Sequence, residues 1–479
     1  MQNKGSVFLD FPFFITDNKK INSAYRMAVS TLSANILPFK DGLLDKAEPC
    51  IIAGIGYSTP WTRDAAINTW NAGGLICPKV SKNTLFSVLS QNEKGYFIEG
   101  EYWDRIIWVI GGWHYYLYTG DKEFLSIALS ATENSLEFFE ETEFSADLGL
   151  FRGPACYGDG VAAYPDIYAK HGKAGIISFA SECKELCEKV GVGIPMHALS
   201  TNCLYFEAYV LADEMRKEFG LAEKYSEKRE SLKTAINKHF WDDTKKTYRY
   251  ICDKFGGCDA AEGMGLSFVV LFDIASEEQK KEVLKSTYVS EYGIPCVYPS
   301  FPRYDTPDGV GKGRHSGTVW PHIQGFFASA VAKCGRKDLF DKEFSAQTEN
   351  ALRYNQFAEI YHPETGEIYG GLQESKSEGI RYWESQPWQT WSATAYLRNI
   401  YFDILGMKFN IDGISFVPVG SGLFYKGTLL NLSYNEAVLN ITVKGNGDKI
   451  RSFKINGEES EPFVRATTKG ICNIEILLS

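Results

Sequence analysis

The chain has 479 residues, 44% of them hydrophobic and 23% charged, an ordinary globular composition that excludes disordered, collagen-like and coiled-coil chains. A formal net charge of −10 argues against wrapping nucleic acid or riding an anionic membrane, because both require a basic face. No run approaches the roughly 20 apolar residues of a membrane helix, and the 14% aromatic content suits sugar platforms and large cores alike.

The start, Met1 to Asp10, lacks the basic and apolar regions of a secretion signal, although a trimmed N-terminus would hide one. Helical periodicity then runs over 20–38, 62–74, 82–91, 101–119, 122–142, 196–219, 221–240, 258–272, 276–289, 316–334, 336–356 and 387–405. In 122–142, Leu125, Leu129, Leu136 and Phe139 form one apolar stripe. Segment 196–219 does the same with Leu199, Cys203, Phe206 and Val210, and sets Asp213, Glu214 and Lys217 on the wet side. In 387–405 the stripe is Ala393, Leu397, Ile400 and Ile404. Tight breaks at Thr119-Gly120-Asp121, Phe219-Gly220 and Cys334-Gly335 make antiparallel neighbours. About twelve helices joined as hairpins predict a mainly α fold, an (α/α) six-hairpin barrel over residues 1–406 with a lead-in at 1–19. After Gly406 the pattern shortens to alternating runs, Leu439-Ile441-Val443, Phe453-Ile455 and Ile474-Ile476-Leu478, parted by Gly445–Asp448 and Asn456-Gly457. These predict a small antiparallel, sandwich-like β-domain over 407–479 that packs against the barrel. The irregular stretches 143–180 and 290–315 are too long for plain connections, and such loops usually carry function.

Eleven cysteines without a CxxC pair read as reduced thiols in a cytoplasmic protein; Cys183 and Cys187, four apart on one predicted helix, make a poor metal clamp. There is no HExxH, no Walker loop and no Gly-x-Gly-x-x-Gly opening a helix, and Gly309-Val-Gly311-Lys-Gly313 has its Lys out of register for a phosphate loop. With seven histidines a His-built metal centre is not expected, nor is any cofactor. What remains is a set of loop-borne carboxylates among aromatics. Tyr57-Ser-Thr-Pro-Trp61-Thr-Arg63-Asp64 stands before a helix, where Asp also serves as cap or dipole partner. Phe151-Arg152-Gly-Pro-Ala-Cys-Tyr157-Gly-Asp159-Gly160 contains an Asp between glycines, which is also a common turn signature. Glu359-Ile-Tyr361-His362-Pro363-Glu364-Thr365-Gly366 sets a Glu before a turn. Arg314-His315-Ser-Gly317-Thr-Val-Trp320-Pro321-His322 and Trp383-Glu384-Ser-Gln386-Pro-Trp388-Gln-Thr-Trp391-Ser392 lead into helices through tryptophan, a residue more often core than ligand platform.

Trp61-Thr-Arg63-Asp64, Ser316-Gly317-Thr-Val-Trp320-Pro321, Glu359…Tyr361-x-Pro363-Glu364-Thr365-Gly366 and Gln389-Thr-Trp391-Ser392-Ala393, in that order over roughly residues 50–405, resemble the six-hairpin glycosidases. These include inverting α-glucosidases of the processing-glucosidase and trehalase type and, more distantly, glucoamylases and α-rhamnosidases. The resemblance implies a carbohydrate substrate, a general acid at Asp159 and a general base at Glu359. The chain departs from the pattern around Asp159, where the usual Trp is missing and Tyr157 lies two residues earlier, so Asp166 stands as a rival acid and Glu262 as a rival of unknown role.

Inverting hydrolysis needs a protonated carboxyl at the leaving oxygen and a carboxylate holding a water opposite, about 6.5–9.5 Å apart. An aromatic wall of Trp61, Tyr157, Trp320, Trp388 and Trp391 is expected to raise the acid's pKa, with Arg63, Asp64 and His315 gripping the sugar. Two other classes compete: a polysaccharide lyase or epimerase using His315, His322 and Tyr361, and a non-catalytic sugar-binding protein. The sequence is silent on the sugar, the linkage and the oligomeric state.

Overall fold

The computed structural model describes residues 11–170, 174–376 and 378–479. The first ten residues, read above for a secretion signal, and 171–173 of the long loop lie outside the described residues. Twelve helices carry the architecture: α1 (Lys19–Ala34), α2 (Thr62–Asn68), α3 (Pro78–Phe86), α4 (Ile107–Thr119), α5 (Lys122–Thr142), α6 (Leu199–Lys217), α7 (Ser226–Phe240), α8 (Gly263–Leu271), α9 (Glu277–Ser286), α10 (Pro321–Lys333), α11 (Lys337–Tyr354) and α12 (Thr390–Arg398).

Each even-numbered helix packs against the next, and α12 packs against α2, so the six contact one another in a closed ring. The burial pattern explains the arrangement. Helices α4, α10 and α12 are buried on every face, as elements flanked on both sides must be. In contrast, α7 buries only Leu232, Ala235, Ile236 and Phe240, and α9 only Lys280, Val283 and Leu284. The odd-numbered helices therefore cover the ring with one apolar stripe each. The predicted breaks are left-handed glycines: φ is 68° at Gly120, 67° at Gly220 and 69° at Gly335, where a Cβ would be strained.

Several boundaries differ from expectation. The helix predicted over 82–91 begins at Pro78, whose ring suits a first helical turn, and Leu89–Asn92 instead pairs with Gly95–Ile98 as a hairpin. The helix predicted to 405 passes into a π-helical stretch at Asn399–Ile404, and α2 does so at Thr69–Gly73. Asp213 is not on the wet side of α6: it is buried and accepts the Tyr225 backbone N–H at 3.1 Å, tying the next loop down. Cys183 and Cys187 do not share a helix, since the short helix there ends at Glu182. All eleven cysteines are free thiols.

The C-terminal part contains strands β1 (Phe13–Thr16), β2 (Met407–Asn410), β3 (Gly413–Phe416), β4 (Lys426–Tyr434), β5 (Glu436–Lys444), β6 (Ile450–Ile455), β7 (Glu458–Glu459), β8 (Phe463–Arg465) and β9 (Lys469–Leu478). One sheet runs β1-β4-β5-β9-β6-β7 and a second β2-β3-β8. The expectation of a wholly antiparallel domain is corrected here, because β5 and β9 pair in parallel with Ile441 beside Ile474. Strand β1, from the lead-in, joins the far edge of this sheet through Phe13 opposite Leu430. The alternation is as read: Leu439, Ile441, Val443, Ile474, Ile476 and Leu478 are buried. The domain meets the C-terminal ends of the ring helices, where Phe409 packs edge-on to Tyr118 at 4.8 Å. No described helix is long and apolar enough to cross a membrane.

Glu262, raised above as a rival, is fully buried at the start of α8, where its carboxylate accepts the Ser200 N–H at 3.0 Å and its other oxygen has no partner. Burial pushes its carboxyl up to about 8, against the Ser200 hydrogen bonds that lower it. A raised folded pKa means the native state keeps a proton that the unfolded chain releases, so its contribution is intact below the unfolded value and is lost as pH rises toward 8. Glu262→Gln should flatten that fall: urea denaturation at pH 5 and pH 8 should show the variant gaining on the parent at pH 8. An equal difference at both pH values would refute the assignment.

Candidate active site

Four segments that lead into ring helices meet over the N-terminal end of the ring. They surround a cavity of about 480 Å³, counting its open mouth, lined by Tyr57, Trp61, Arg63, Asp64, Tyr157, Asp159, Arg314, His315, Trp320, Glu359, Gln389 and Trp391 with Ala53. Nearly every residue singled out from the sequence therefore comes together, over separations of up to three hundred positions. Trp388 is the exception. It lies outside the lining with φ at 50°, and its carbonyl accepts from Asn35 Nδ2 at 2.8 Å, so its part in the structure is to turn the chain into α12.

Asp159 sits on a loop that passes under His315. A Cβ at Gly160 would stand 1.9 Å from Gln373 Oε1, and one at Gly158 would stand 2.5 Å from the Tyr164 hydroxyl, so both flanking glycines are required by space rather than by a turn. His315 Nε2 lies 3.3 Å from Asp159 Oδ1 and Arg63 Nη2 lies 3.8 Å from Oδ2. The next-door residue serves the other carboxylate: Arg314 Nη2 donates to Glu359 Oε2 at 2.7 Å. Glu359 also accepts from the Tyr57 hydroxyl at 3.0 Å and from the Gln386 N–H at 3.1 Å. Trp320 holds this pair in place, stacking on His315 at 4.8 Å while its Nε1 donates to the Arg314 carbonyl at 2.9 Å. Neither Tyr57 nor Arg314 is singled out as a site residue by the sequence, although both stand inside runs that are; no spacing rule links positions 57, 314 and 359.

The electrostatics differ from the expectation of a proton held on Asp159. Burial pushes that carboxyl up, but His315, Arg63 and Arg314 outweigh it and hold it below the usual carboxylate range. The raised groups are Asp64, which burial, with Glu359 and Asp104 nearby, lifts to about 7 against the pull of Arg63, and Asp104 behind it, which burial lifts likewise to about 7. Arg63 is less available for sugar than expected, because its Nη1 is bound to Asp104 at 2.8 Å. Burial pushes His315 down to about 4, so at neutral pH its imidazole is an uncharged donor. Five polar atoms of lining residues, Arg63 Nε, Asp64 Oδ1, His315 Nδ1, Gln389 Oε1 and Trp391 Nε1, are buried with no hydrogen-bond partner among the described residues.

The rivals fall elsewhere. Asp166 is exposed and paired with Arg303 at 2.9 Å, and Glu262 is not among the residues that line the cavity. His322 is fully buried and stacked on Trp391 at 4.1 Å, and the Tyr361 hydroxyl is taken by the Ala358 N–H at 3.0 Å, so neither reaches the cavity. Among the described residues no group of three or more His, Cys, Asp or Glu side chains is placed to hold a metal ion.

Arg314 and Glu359 form an ion pair that is almost wholly out of water. Arg314→Met should therefore cost roughly 3 kcal/mol in urea denaturation, the low end for orphaning a buried charge. Adding Glu359→Gln should restore most of that loss. Additive effects of the two changes would disprove the coupling.

Residues 109–392, more than half of the chain, match the family described as mannosylglycerate hydrolase MGH1-like glycoside hydrolase domain. Against curated protein sequences nothing matches. Similar solved structures include a sialidase (14% identity, TM-score 0.66, over 97% of this chain and 40% of that one). A family GH78 rhamnosidase from a Bacillus species gives 14% and 0.57 over 98% of this chain and 44% of that one. The GH63 mannosylglycerate hydrolase of Thermus thermophilus, solved with glucose, gives 13% and 0.57 over 78% of this chain and 99% of that one. The chain thus spans less than half the length of the first two, and the likeness to all three is one of fold. On the family match, the chain belongs to the MGH1-like glycoside hydrolases of the six-hairpin glycosidase superfamily.

Proposed function

We propose that this chain is an exo-acting and inverting glycosidase, that it cleaves α-linked glycosides, and that Glu359 is its general base and Asp159 its general acid. The observation that carries the reading is the Arg314-His315 pair, which holds one carboxylate on each of two neighbouring side chains over a single cavity. Glu359, fixed by three donors, suits a base that must orient one water. Asp159 is charged in the empty cavity and must gain its proton as the sugar displaces water and the burial effect grows. Trp320 and Trp391, both in the cavity lining, offer flat apolar faces of the kind that suit a sugar ring. The ring of even-numbered helices with an odd-numbered cover supports an (α/α) six-hairpin barrel over residues up to 406, with 407–479 as an added β-domain that takes β1 into its sheet.

A sugar joined to a small acidic aglycone, as in the substrate that the Thermus enzyme's name gives it, belongs in the substrate panel. The eleven free thiols support a cytoplasmic setting. The lyase or epimerase reading, with His315, His322 and Tyr361 as its players, is not favoured, because of these only His315 lines the cavity.

The test is a panel of aryl α-glycosides, α-linked disaccharides and mannosylglycerate, with the product anomer followed by proton NMR from the first minutes. Glu359→Gln and Asp159→Asn should each lower kcat by about 10³-fold or more while leaving the thermal midpoint near that of the parent. Near-normal turnover in either variant would remove that residue from the mechanism, a retained anomer would remove inversion, and binding without turnover in the parent would favour the sugar-binding reading.

A further inference from the structure

The far end of the ring, where α12 gives way to the β-domain, holds a second and larger cavity of about 1310 Å³ counting its mouth. Its lining carries Arg398, Lys408, Lys333 and Lys337 against Asp403 and Asp448, a surplus of two positive charges in a chain whose net charge is −10. A smaller cavity shares Arg398 and Lys408 with it.

Arg398 is the unusual group. It is only 6% exposed, yet no ion pair joins it to a carboxylate among the described residues. Its Nε donates to Ser329 Oγ at 2.9 Å and its Nη1 to Asn71 Oδ1 at 3.3 Å, and Nη2 has no acceptor among the described residues. Trp70 and Phe326 cover its guanidinium at 4.5 and 4.9 Å. The nearest acid, Asp403, is otherwise engaged: Oδ2 accepts from Ser329 at 2.7 Å and Asn399 at 3.0 Å, and Oδ1 faces Lys408 at 3.6 Å. A dehydrated cation without a paired anion is costly, and burial indeed lowers the Arg398 pKa.

Helix C-terminal ends would ordinarily repel an anion. Here the carbonyls that would do so are already bound by lysines, Leu271 O by Lys333 Nζ and Phe402 O by Lys408 Nζ, each at 2.8 Å. Lys333 spends a further bond on Asp273 and Lys408 also faces Asp403, so the donor left without an acceptor among the described residues is Arg398 Nη2 in the wall, with Lys408 exposed at the rim of the same two cavities.

We propose that this cavity binds a small oxyanion, a phosphate or a carboxylate, between Arg398 and Lys408. The planar guanidinium offers the forked donor geometry that both chemistries accept. The inference is independent of the reaction at the other end of the ring.

The test uses the full chain at constant ionic strength, titrated separately with inorganic phosphate and with malonate. Binding is read by the fluorescence of tryptophan, since Trp70 lies on Arg398, and by the thermal midpoint. Saturable binding is expected in the parent, with the tighter of the two arms naming the chemistry. Lys408→Met, a change at an exposed side chain that leaves the fold intact, should weaken it at least tenfold, and Arg398→Gln should abolish it. Arg314→Gln, which removes a cation from the catalytic cavity instead, should leave it in place. Saturation by neither anion, an unchanged affinity in Lys408→Met, or loss of binding in Arg314→Gln would overturn the proposal.

Discussion

One dipeptide sets the geometry of the catalytic cavity. Arg314 and His315 are neighbours in the chain, yet they face different carboxylates, Glu359 and Asp159, which come from loops two hundred residues apart. A peptide unit has fixed dimensions, so the spacing of the two acids is tied to the spacing of two adjacent side chains. That unit would be loose on a free loop. Trp320 prevents this by stacking on one side chain and hydrogen-bonding the other's carbonyl, and Pro321 then starts α10 at once. The rigid ring is thereby continued into the loop that carries the donors.

The same arrangement explains where the protons reside. Asp64, Asp159, Glu359 and Asp104 crowd one region against two arginines, and burial raises two of them, Asp64 and Asp104. Solvent access decides which. Asp64 and Asp104, 2% and 0% exposed, are the carboxyls that burial raises to about 7, whereas the side chain of Asp159, 44% exposed and faced by Arg63, Arg314 and His315, is held below the usual carboxylate range.

How much of this is legible in the sequence follows from the range of the forces involved. Helix periodicity is local, and the hairpin order, the change of character after Gly406 and the buried stripes of the β-strands all stand in the pattern of residues. The runs singled out from the sequence bring nine of the ten residues expected at the site to one cavity. What escapes is long-range. The parallel pairing of β5 with β9 needs knowledge of which strands meet, and the depressed pKa of Asp159 needs Arg63, His315 and Arg314, basic side chains from two separate loops, to be seen together. Trp388 misleads for a related reason: an aromatic beside a motif looks the same whether its ring or its backbone is in use, and here the positive φ makes the backbone the functional part.

The ring also has electrical polarity, and the two ends use it oppositely. At the N-terminal ends of α2, α10 and α12 the helix dipoles present positive charge, where carboxylates are favoured and where Asp64 stands in a first turn. At the C-terminal ends the carbonyls accumulate negative charge, and lysines from neighbouring elements bind them, Lys333 on α8 and Lys408 on the residues after α12. Parallel packing of six helices concentrates both effects instead of cancelling them. An acidic protein therefore carries a basic cavity at one pole as a direct consequence of the fold that builds an acidic one at the other. The β-domain, by covering that pole, encloses the lysines and Arg398 in a pocket where they would otherwise stand in open water.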